Sequence, residues 1–276
     1  MEPEIQAVMD EAFVTEALFQ SNPEALEDLP EKPQGSMVII NVETGAIAGM
    51  QGGYGPKTAN MVTNRAVSAY RQPGSAIKPL LSYAPALEMG YITAATLYDD
   101  KESFLDPDNP NTAWPRNADG RFAGPMTIRR AITSSRNTIA VQVWTDIGGE
   151  RALWFLKQTG IDRTEEVYPS TAVGGFSLGM TSLEMAAAYA TFPNKGVFCE
   201  PYAYTKVLDS DDNVVLEKFP ARRAVYSEAT AFIISDIMKG VITGGTATGQ
   251  VHTIRNEDGE SIAIAGKTGT TDNYHD

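Results

Sequence analysis

The chain has 276 residues, of which 42% are hydrophobic and 21% charged, and its formal net charge is −13 at pH 7. This composition is ordinary for a soluble globular protein, and the length predicts one domain with two lobes. The acidic charge argues against a nucleic-acid surface, which needs clustered Lys and Arg, and a single cysteine excludes an internal disulfide framework. No run of about eighteen apolar residues is present, so the sequence predicts no membrane span within this chain.

The first elements are predicted from hydrophobic periodicity. Residues 3–20 repeat apolar side chains at helical spacing, and the proline-rich, acidic segment 21–34 that follows predicts a loop. A β-branched run at 36–42, a turn centred on Gly45 and a second run at 46–50 predict a β-hairpin.

A helix is predicted to begin at Ser75, after an ordered loop at 54–74. Pro79 falls in its first turn and costs little there, whereas Pro85 lies deeper and should kink the helix. Gly90 is the predicted C-terminal stop.

The segment 99–125 is rich in Asp, Pro and Asn and predicts a long surface excursion, of a length that is usually functional or mobile. Two short helices at 127–133 and 138–147 are predicted next, with a break between them. Further predicted elements are helices at 150–159, 181–192 and 229–241, a hairpin of 199–208 with 214–219, and a short strand at 261–266.

Three short motifs follow one another along these elements: Ser75-x-x-Lys78, Ser135-x-Asn137 and Lys267-Thr268-Gly269. Chance supplies about one match to each of the first two in a chain of this length, but only of order 0.05 to the third. Residues i and i+3 share a helix face, so the Lys78 amine can reach the Ser75 hydroxyl. A serine becomes a strong nucleophile beside a base, and a desolvated lysine is such a base.

These are the three motifs of class A β-lactamases and penicillin-binding proteins, and the wider sequence resembles class A penicillin-binding proteins more closely. The stretches that carry this resemblance are Asn41-Val42-Glu43-Thr44-Gly45, Asn64-Arg65-Ala66, Arg71-Gln72-Pro73-Gly74-Ser75, Gly174-Gly175-Phe176-Ser177-Leu178-Gly179 and Gly245-Thr246-Ala247. The resemblance implies an α+β transpeptidase fold, in which a five-stranded antiparallel sheet packs between helices beside an all-helical lobe.

The family pattern also places two more strands and a helix after the third motif, and a glycosyltransferase domain and membrane anchor upstream. We therefore expect residues 1–276 to be one transpeptidase domain, truncated after the third motif and lacking those upstream parts. The strand that leads to Lys267 would then lack a neighbour on one side, an exposed edge. On this basis we expect this piece alone to be poorly stable and weakly active.

The resemblance assigns catalytic roles to the first two motifs. Ser75 would attack the carbonyl between two D-alanines and form an acyl-enzyme. Lys78 would accept the Ser75 proton, which requires burial and the nearby charge of Lys267 to lower its pKa. The Asn137 amide would hold Lys78 and bind the substrate backbone, and the Ser135 hydroxyl would relay a proton to the leaving D-alanine.

The third motif would bind substrate. Lys267 would supply positive charge for the terminal carboxylate of the donor, which the hydroxyls of Thr268 and Thr270 would hydrogen-bond. The oxyanion hole would be the backbone N–H groups of Ser75 and Thr270, aided by the helix N-terminus. A side chain at Gly269 would obstruct substrate lying along the edge of this strand.

The resemblance thus implies a serine-type D-Ala-D-Ala transpeptidase or carboxypeptidase. It would cross-link peptidoglycan stem peptides, with a D-Ala-D-Ala donor and an amine acceptor, on the extracytoplasmic face of a bacterial cell membrane. Penicillins would inhibit it by acylating the serine, and it needs no cofactor. No metal site is expected, because His252 and His275 are far apart and neither has a partner at metal-ligand spacing.

Two alternatives stay open at this point. A serine β-lactamase would also have to hydrolyse the acyl-enzyme, and class A members use a glutamate with an asparagine four residues later. Glu165 and Glu166 offer carboxylates but neither has that asparagine, which argues against hydrolysis. A non-catalytic β-lactam sensor is the second alternative, and no specific sequence feature supports it.

Overall fold

The computed structural model describes residues 1–15, 33–57, 59–104, 108, 110–251 and 253–271. In chain order the α-helices are α1 (Pro3–Ala12), α2 (Arg65–Ser68), α3 (Ala84–Glu88), α4 (Ile128–Thr133), α5 (Asn137–Ile147), α6 (Gly149–Gln158), α7 (Ser182–Ala190) and α8 (Glu228–Gly244). The strands are β1 (Met37–Ile40), β2 (Ile47–Gln51), β3 (Leu97–Asp100), β4 (Gly124–Thr127), β5 (Val197–Cys199), β6 (Lys206–Leu208), β7 (Val214–Glu217) and β8 (Arg222–Ala224). A 3₁₀ turn at Gly74–Ile77 and a π turn at Pro79–Tyr83 lead into α3, and a second 3₁₀ turn covers Pro169–Val173.

The strands pair as antiparallel ladders of two: β1 with β2, β3 with β4, β5 with β8, and β6 with β7. The predicted first hairpin is confirmed, with Met37 opposite Gln51. Gly45 in its turn has a φ of 83°, and a Cβ there would lie 2.7 Å from the Glu200 carbonyl oxygen. The turn therefore needs glycine for both conformation and space.

Two predicted strand assignments are wrong. The segment 199–208 is not one strand, because Pro201 cannot donate to a ladder; Cys199 instead ends β5, which pairs with β8, while β6 pairs with β7 as predicted. The segment 261–266 forms no ladder within the described residues and makes only an isolated bridge between Ser261 and Arg255. The segment beside it, residues 254–256, contributes that bridge and two backbone hydrogen bonds, from the Ile262 N–H to the Ile254 carbonyl and from the Asn256 N–H to the Glu260 carbonyl.

The predicted helices are found with shifts of one to three residues at most of their ends. The first is confirmed over α1 and is wrong over residues 13–15, which are described and not helical; residues 16–20 of its predicted range lie outside the described residues, as does most of the predicted loop at 21–34. None of the helices in the described ranges combines the length and the apolar content needed to cross a bilayer.

The helix that carries Ser75 runs through the core. Every residue from 77 to 86 is buried, so this segment is enclosed on all sides rather than on one face. Its main neighbours are α5, α6 and α8. Lys78 is part of this buried run and has no exposed surface, which places a potentially cationic group in the most apolar part of the protein.

The excursion at 99–125 is only partly the surface loop that composition predicts. Its two ends pair as β3 and β4, with Asp100 opposite Gly124. Asp100 is completely buried and Asn117 is 5% exposed. The prediction of a surface excursion is wrong for these two side chains, which are buried and hydrogen-bond each other, with Asp100 also accepting from Thr138.

Candidate active site

The turn that holds Ser75 is narrower than an α-helix. The Lys78 N–H donates to the Ser75 carbonyl oxygen, an i to i−3 bond that continues the 3₁₀ turn Gly74–Ile77. Side chains three residues apart eclipse one another in a 3₁₀ helix, whereas they are offset in an α-helix. The local pitch therefore aligns Ser75 and Lys78 more closely than the predicted α-helix would.

Beyond Lys78 the helix widens into a π turn. The Ala84 N–H donates to the Pro79 carbonyl, five residues back. In this pattern the Leu80 carbonyl would accept from residue 85, but Pro85 has no N–H to donate. The Tyr226 hydroxyl donates to that carbonyl instead, at 3.3 Å. Pro85 thus coincides with a change of hydrogen-bond pattern that a tyrosine from outside the helix completes, while the predicted kink stays a prediction.

The Lys78 amine is enclosed by the second motif. Its Nζ lies 2.7 Å from the Ser135 carbonyl oxygen, 2.5 Å from Asn137 Oδ1 and 3.3 Å from Ser135 Oγ. Burial, followed by the positive charges of Lys267 and Arg136, holds the pKa of Lys78 well below its ordinary value. This environment favours the neutral amine, which keeps two N–H donors and gains a lone pair.

Ser135 occupies a strained backbone position between α4 and α5. Its φ is 57°, in the left-handed region that non-glycine residues rarely adopt. This conformation directs its carbonyl to Lys78 while its hydroxyl lies 2.8 Å from the Nζ of Lys267. One serine therefore contacts both lysines of the predicted site.

Asn137, the first residue of α5, is held at three points. Its Oδ1 accepts from Lys78, its Nδ2 donates to the Arg116 carbonyl at 2.6 Å, and its backbone N–H donates to Asn117 Oδ1 at 2.8 Å. The second Nδ2 hydrogen has no hydrogen-bond partner within the described part of the chain. It can therefore donate to a bound ligand.

The third motif approaches the same serine from the other side. Burial lowers the pKa of Lys267 to about 8. Its Nζ also lies 2.9 Å from the Thr268 carbonyl oxygen, and the Thr268 hydroxyl is 2.7 Å from that of Thr246. Thr246 belongs to one of the stretches that carry the resemblance, but no role was predicted for it.

Glycines let three backbone segments meet at the start of the Ser75 turn. Gly74 has a φ of 50°, and a Cβ there would lie 2.4 Å from the Thr270 carbonyl oxygen. A Cβ on Gly174 would lie 2.4 Å from backbone atoms of Gly74, and one on Gly269 would lie 2.8 Å from the Pro73 carbonyl oxygen. Gly269 is therefore required by contact within the protein, a different reason from the predicted obstruction of substrate.

Two backbone amides at this junction are free to bind an anion. Neither the Ser75 N–H nor the Thr270 N–H donates a hydrogen bond among the described residues. The Ser75 hydroxyl, which is half-buried, likewise makes no hydrogen bond there, including to Lys78. The structure thus joins Lys78, Ser135, Asn137 and Lys267 directly and leaves the hydroxyl of Ser75 unengaged; catalytic contacts often tighten only when a ligand is bound.

Several residues around the site were not singled out from the sequence. Gln72 pairs its amide with both backbone groups of Phe176 and so holds the 174–179 loop against the Ser75 turn. Arg136, the middle residue of the second motif, contributes to lowering the pKa of Lys78. Gln72 stands in a stretch that resembles the family, and that resemblance was the one indication of its importance.

Glu166, one of the two carboxylates considered for the β-lactamase alternative, accepts a hydrogen bond from the Ser177 backbone N–H.

Comparisons with known proteins identify the family of this chain. The family model described as the penicillin binding protein transpeptidase domain matches residues 35–276. Penicillin-binding protein 1A of Aquifex aeolicus is 35% identical over 243 residues, 88% of this chain and 32% of the relative. Penicillin-binding protein 1F of Bacillus subtilis is 34% identical over 245 residues, 87% of this chain and 31% of the relative.

Solved structures share the fold. Penicillin-binding protein 1A from Haemophilus influenzae is 28% identical, with a TM-score of 0.73 over 87% of this chain and 40% of that one. The D,D-transpeptidase domain of a peptidoglycan glycosyltransferase from Eggerthella lenta gives a TM-score of 0.69 over 94% of this chain and 70% of that one. At 21% identity the latter likeness shows the fold alone.

The fold and the family model together define a transpeptidase domain of α+β architecture. The chain belongs to the penicillin-binding protein transpeptidase domain family. The resemblance and the fold class predicted from the motifs are confirmed, and neither the β-lactamase nor the sensor alternative is favoured. The chain spans about a third of the length of the curated relatives described above.

Proposed function

We propose that this chain is a serine D,D-transpeptidase domain that cross-links peptidoglycan stem peptides and is acylated by penicillins. The observation that carries the proposal is the buried amine of Lys78, bonded to Ser135 and Asn137 with its pKa lowered. A neutral lysine beside an N-terminal serine of the same turn is a base and nucleophile pair. The extracytoplasmic face of a bacterial cell membrane is the compartment in which this substrate occurs.

In the first step Ser75 attacks the carbonyl carbon between two D-alanines. The neutral Lys78 amine donates its two hydrogens to the Ser135 carbonyl and to Asn137 Oδ1, which leaves the lone pair to accept the Ser75 proton. The negative charge on the carbonyl oxygen is bound by the N–H groups of Ser75 and Thr270. Losing one such donor typically reduces the rate by about 10²–10³.

In the second step the tetrahedral intermediate breaks its C–N bond. The leaving D-alanine nitrogen takes a proton from the Ser135 hydroxyl, which the Lys78 ammonium replaces, so Lys78 is neutral again. The carboxylate of the leaving D-alanine is held by Lys267 with the hydroxyls of Thr268 and Thr270. An acceptor amine, or water in carboxypeptidation, then attacks the acyl carbon, the ester bond to Ser75 Oγ breaks, and the proton that the nucleophile loses returns to Ser75 Oγ.

Fluorescent penicillin labelling tests the proposal. Stable covalent labelling is expected, and Ser75→Ala should abolish it. Ser134→Ala is a matched control, because that hydroxyl donates to the Arg130 carbonyl within its own helix and should leave labelling intact. Normal labelling of Ser75→Ala would show that the nucleophile is wrongly assigned.

Substrate turnover separates the remaining classes. D-alanine release from a stem-peptide donor, with product formation that depends on an added amine, is expected for a transpeptidase. Rapid turnover of penicillin would instead indicate a β-lactamase. Labelling without any D-alanine release would indicate a sensor.

A further inference from the structure

A buried carboxylate lies behind the second motif. Asp100, at the end of β3, has no exposed surface. Its Oδ1 accepts hydrogen bonds from Asn117 Nδ2 at 2.7 Å and from Thr138 Oγ1 at 2.5 Å. Its Oδ2 accepts from the Ala123 N–H at 2.9 Å, and Arg136 Nε lies 3.5 Å from it. A buried charge is costly unless it is paired and hydrogen-bonded, and the three hydrogen bonds together with the ion pair to Arg136 meet that need.

Three of these partners lead to the second motif. Asn117 links Asp100 to the second motif, because its Oδ1 accepts a hydrogen bond from the backbone N–H of Asn137. Thr138 and Arg136 are the residues on either side of Asn137. Arg136 Nη1 also lies 3.0 Å from each oxygen of the Asp119 carboxylate. Three consecutive residues are therefore tied to the 100–123 excursion, and Asp100 contacts two of them directly.

Asn137, which is held in this way, and the nearby Ser135 set the position of the Lys78 amine. Asn137 Oδ1 and the Ser135 carbonyl are its two nearest acceptors. Ser135 adopts a left-handed conformation, which persists only where surrounding contacts fix it. A shift of the turn would therefore move both acceptors and turn the lone pair of Lys78 away from Ser75.

We propose that Asp100 is a positioning residue of the acyl-transfer site, acting through Asn117 and the second motif on Lys78. Asp100 contacts no group assigned to the substrate or to the bonds that change. This inference rests on the proposed function. A purely structural role would lower stability yet leave the acylation of folded protein unchanged, so the two roles predict different results.

Asp100→Asn tests the role with nearly the same shape. A carboxamide has one acceptor oxygen in place of two, so one side of it must face donors with its NH₂ group. The acylation rate constant of bound fluorescent penicillin is expected to fall about 10²-fold, as small misplacements of catalytic groups do. The dissociation constant of the non-covalent complex should change far less. Rates are measured below the melting transition of each variant, where each is folded.

Asp146→Asn is the matched control. The Asp146 carboxylate accepts from the Tyr98 hydroxyl at 2.5 Å, a bond that also joins β3 to α5 but lies away from the second motif. Its acylation rate constant should equal that of the unchanged chain. Folded Asp100→Asn that acylates at the unchanged rate would overturn the proposal.

An exchange of the two side chains gives a second, independent outcome. In Asp100→Asn combined with Asn117→Asp, the new amide can donate to the new carboxylate, which still accepts from the Asn137 N–H. The bond from residue 117 to the Arg121 carbonyl is lost, the Thr138 hydroxyl faces an NH₂ group in place of an oxygen, and the negative charge beside Arg136 moves to position 117, but the link to the Asn137 N–H is kept. The double variant should therefore acylate faster than Asp100→Asn alone, whereas an equal or slower rate would overturn the proposed chain of contacts.

The proposed function and this inference can fail separately. If the unchanged chain is not labelled by penicillin, the proposed function fails. The positioning role is then judged from crystal structures of the unchanged chain and of Asp100→Asn. Displacement of the Asn137 carboxamide from Lys78 in the variant supports it, and an unmoved carboxamide overturns it.

Discussion

The charge of Lys267 should control the pH at which Lys78 becomes a base, and Lys267→Met removes that charge with little change in length. The Nζ atoms of Lys78 and Lys267 lie 3.3 Å and 2.8 Å from the Ser135 hydroxyl oxygen, so the two nitrogens are no more than about 6 Å apart. At an effective dielectric constant of about 20, two unit charges at this distance repel by about 3 kcal/mol.

The direction in which the Lys78 pKa moves depends on which protonation state of Lys78 the repulsion disfavours. The charge of Lys267 disfavours protonated Lys78 and lowers its pKa. Without it the pKa of Lys78 rises, and at a pH below that pKa the neutral fraction falls by up to about 10²-fold. The acid side of the pH profile for penicillin acylation should therefore move to higher pH.

Stopped-flow acylation across a range of pH measures this shift. The second-order rate constant reports the free protein, so the position of its acid side reflects the Lys78 pKa. The maximum value of this rate constant will also fall, because Lys267→Met removes the predicted carboxylate anchor. Lys267→Arg keeps the charge and should leave the position unchanged. An acid side that stays in place or moves to lower pH in Lys267→Met would refute the electrostatic reasoning.

Three further predictions concern packing and stability. Gly74→Ala should abolish penicillin labelling, because its Cβ would meet the Thr270 carbonyl, whereas Gly90→Ala, at a position that also has a positive φ but open space around it, should label normally. Tyr226→Phe leaves a buried helix carbonyl without its donor and should lower the free energy of unfolding by about 1 kcal/mol in denaturant titrations, with labelling retained. The pKa of Lys267 is about 8 when folded and 10.5 ordinarily, so the unfolded chain binds more protons in that interval. The free energy of unfolding of the unchanged chain, minus that of Lys267→Met, should consequently rise with pH from about 8 to about 10.5 in urea melts. A difference that stays flat or falls with pH would contradict this.

The meeting of the motifs could be predicted because each stands at a local structural signal. Ser75 precedes an apolar helical run, and Ser135 and Asn137 have the residue types that interrupt helices. The first two motifs therefore fall at a helix start and a helix break. The hydrogen bonds from Lys78 to Ser135 and Asn137 depend on how their two segments pack against each other. From the sequence, that packing could be inferred only through the family resemblance.

Other features depend on partners that are distant in sequence. The composition of the 99–125 segment averages over all its acidic residues and does not indicate that Asp100 turns inward. A strand at 261–266 was predicted from its apolar run, yet a strand requires a partner along its length, and among the described residues the pairing there is limited to the single bridge between Ser261 and Arg255. The disturbance at Pro85 was predictable, whereas its completion by Tyr226 required knowledge of the fold.

The narrow turn around Ser75 has a consequence for protein engineering. If Ser-x-x-Lys were grafted onto an ideal α-helix, the two side chains would be offset by about 60° about the axis, since each residue there turns about 100°. In the 3₁₀ turn the offset vanishes. Its donor is the Lys78 N–H, and the proline at position 79 has no N–H with which to continue an α-helical ladder onto Ser75. A transplant of the motif should therefore carry the glycine before it and the proline after it, because the alignment belongs to the pitch of the turn as much as to the two reactive side chains.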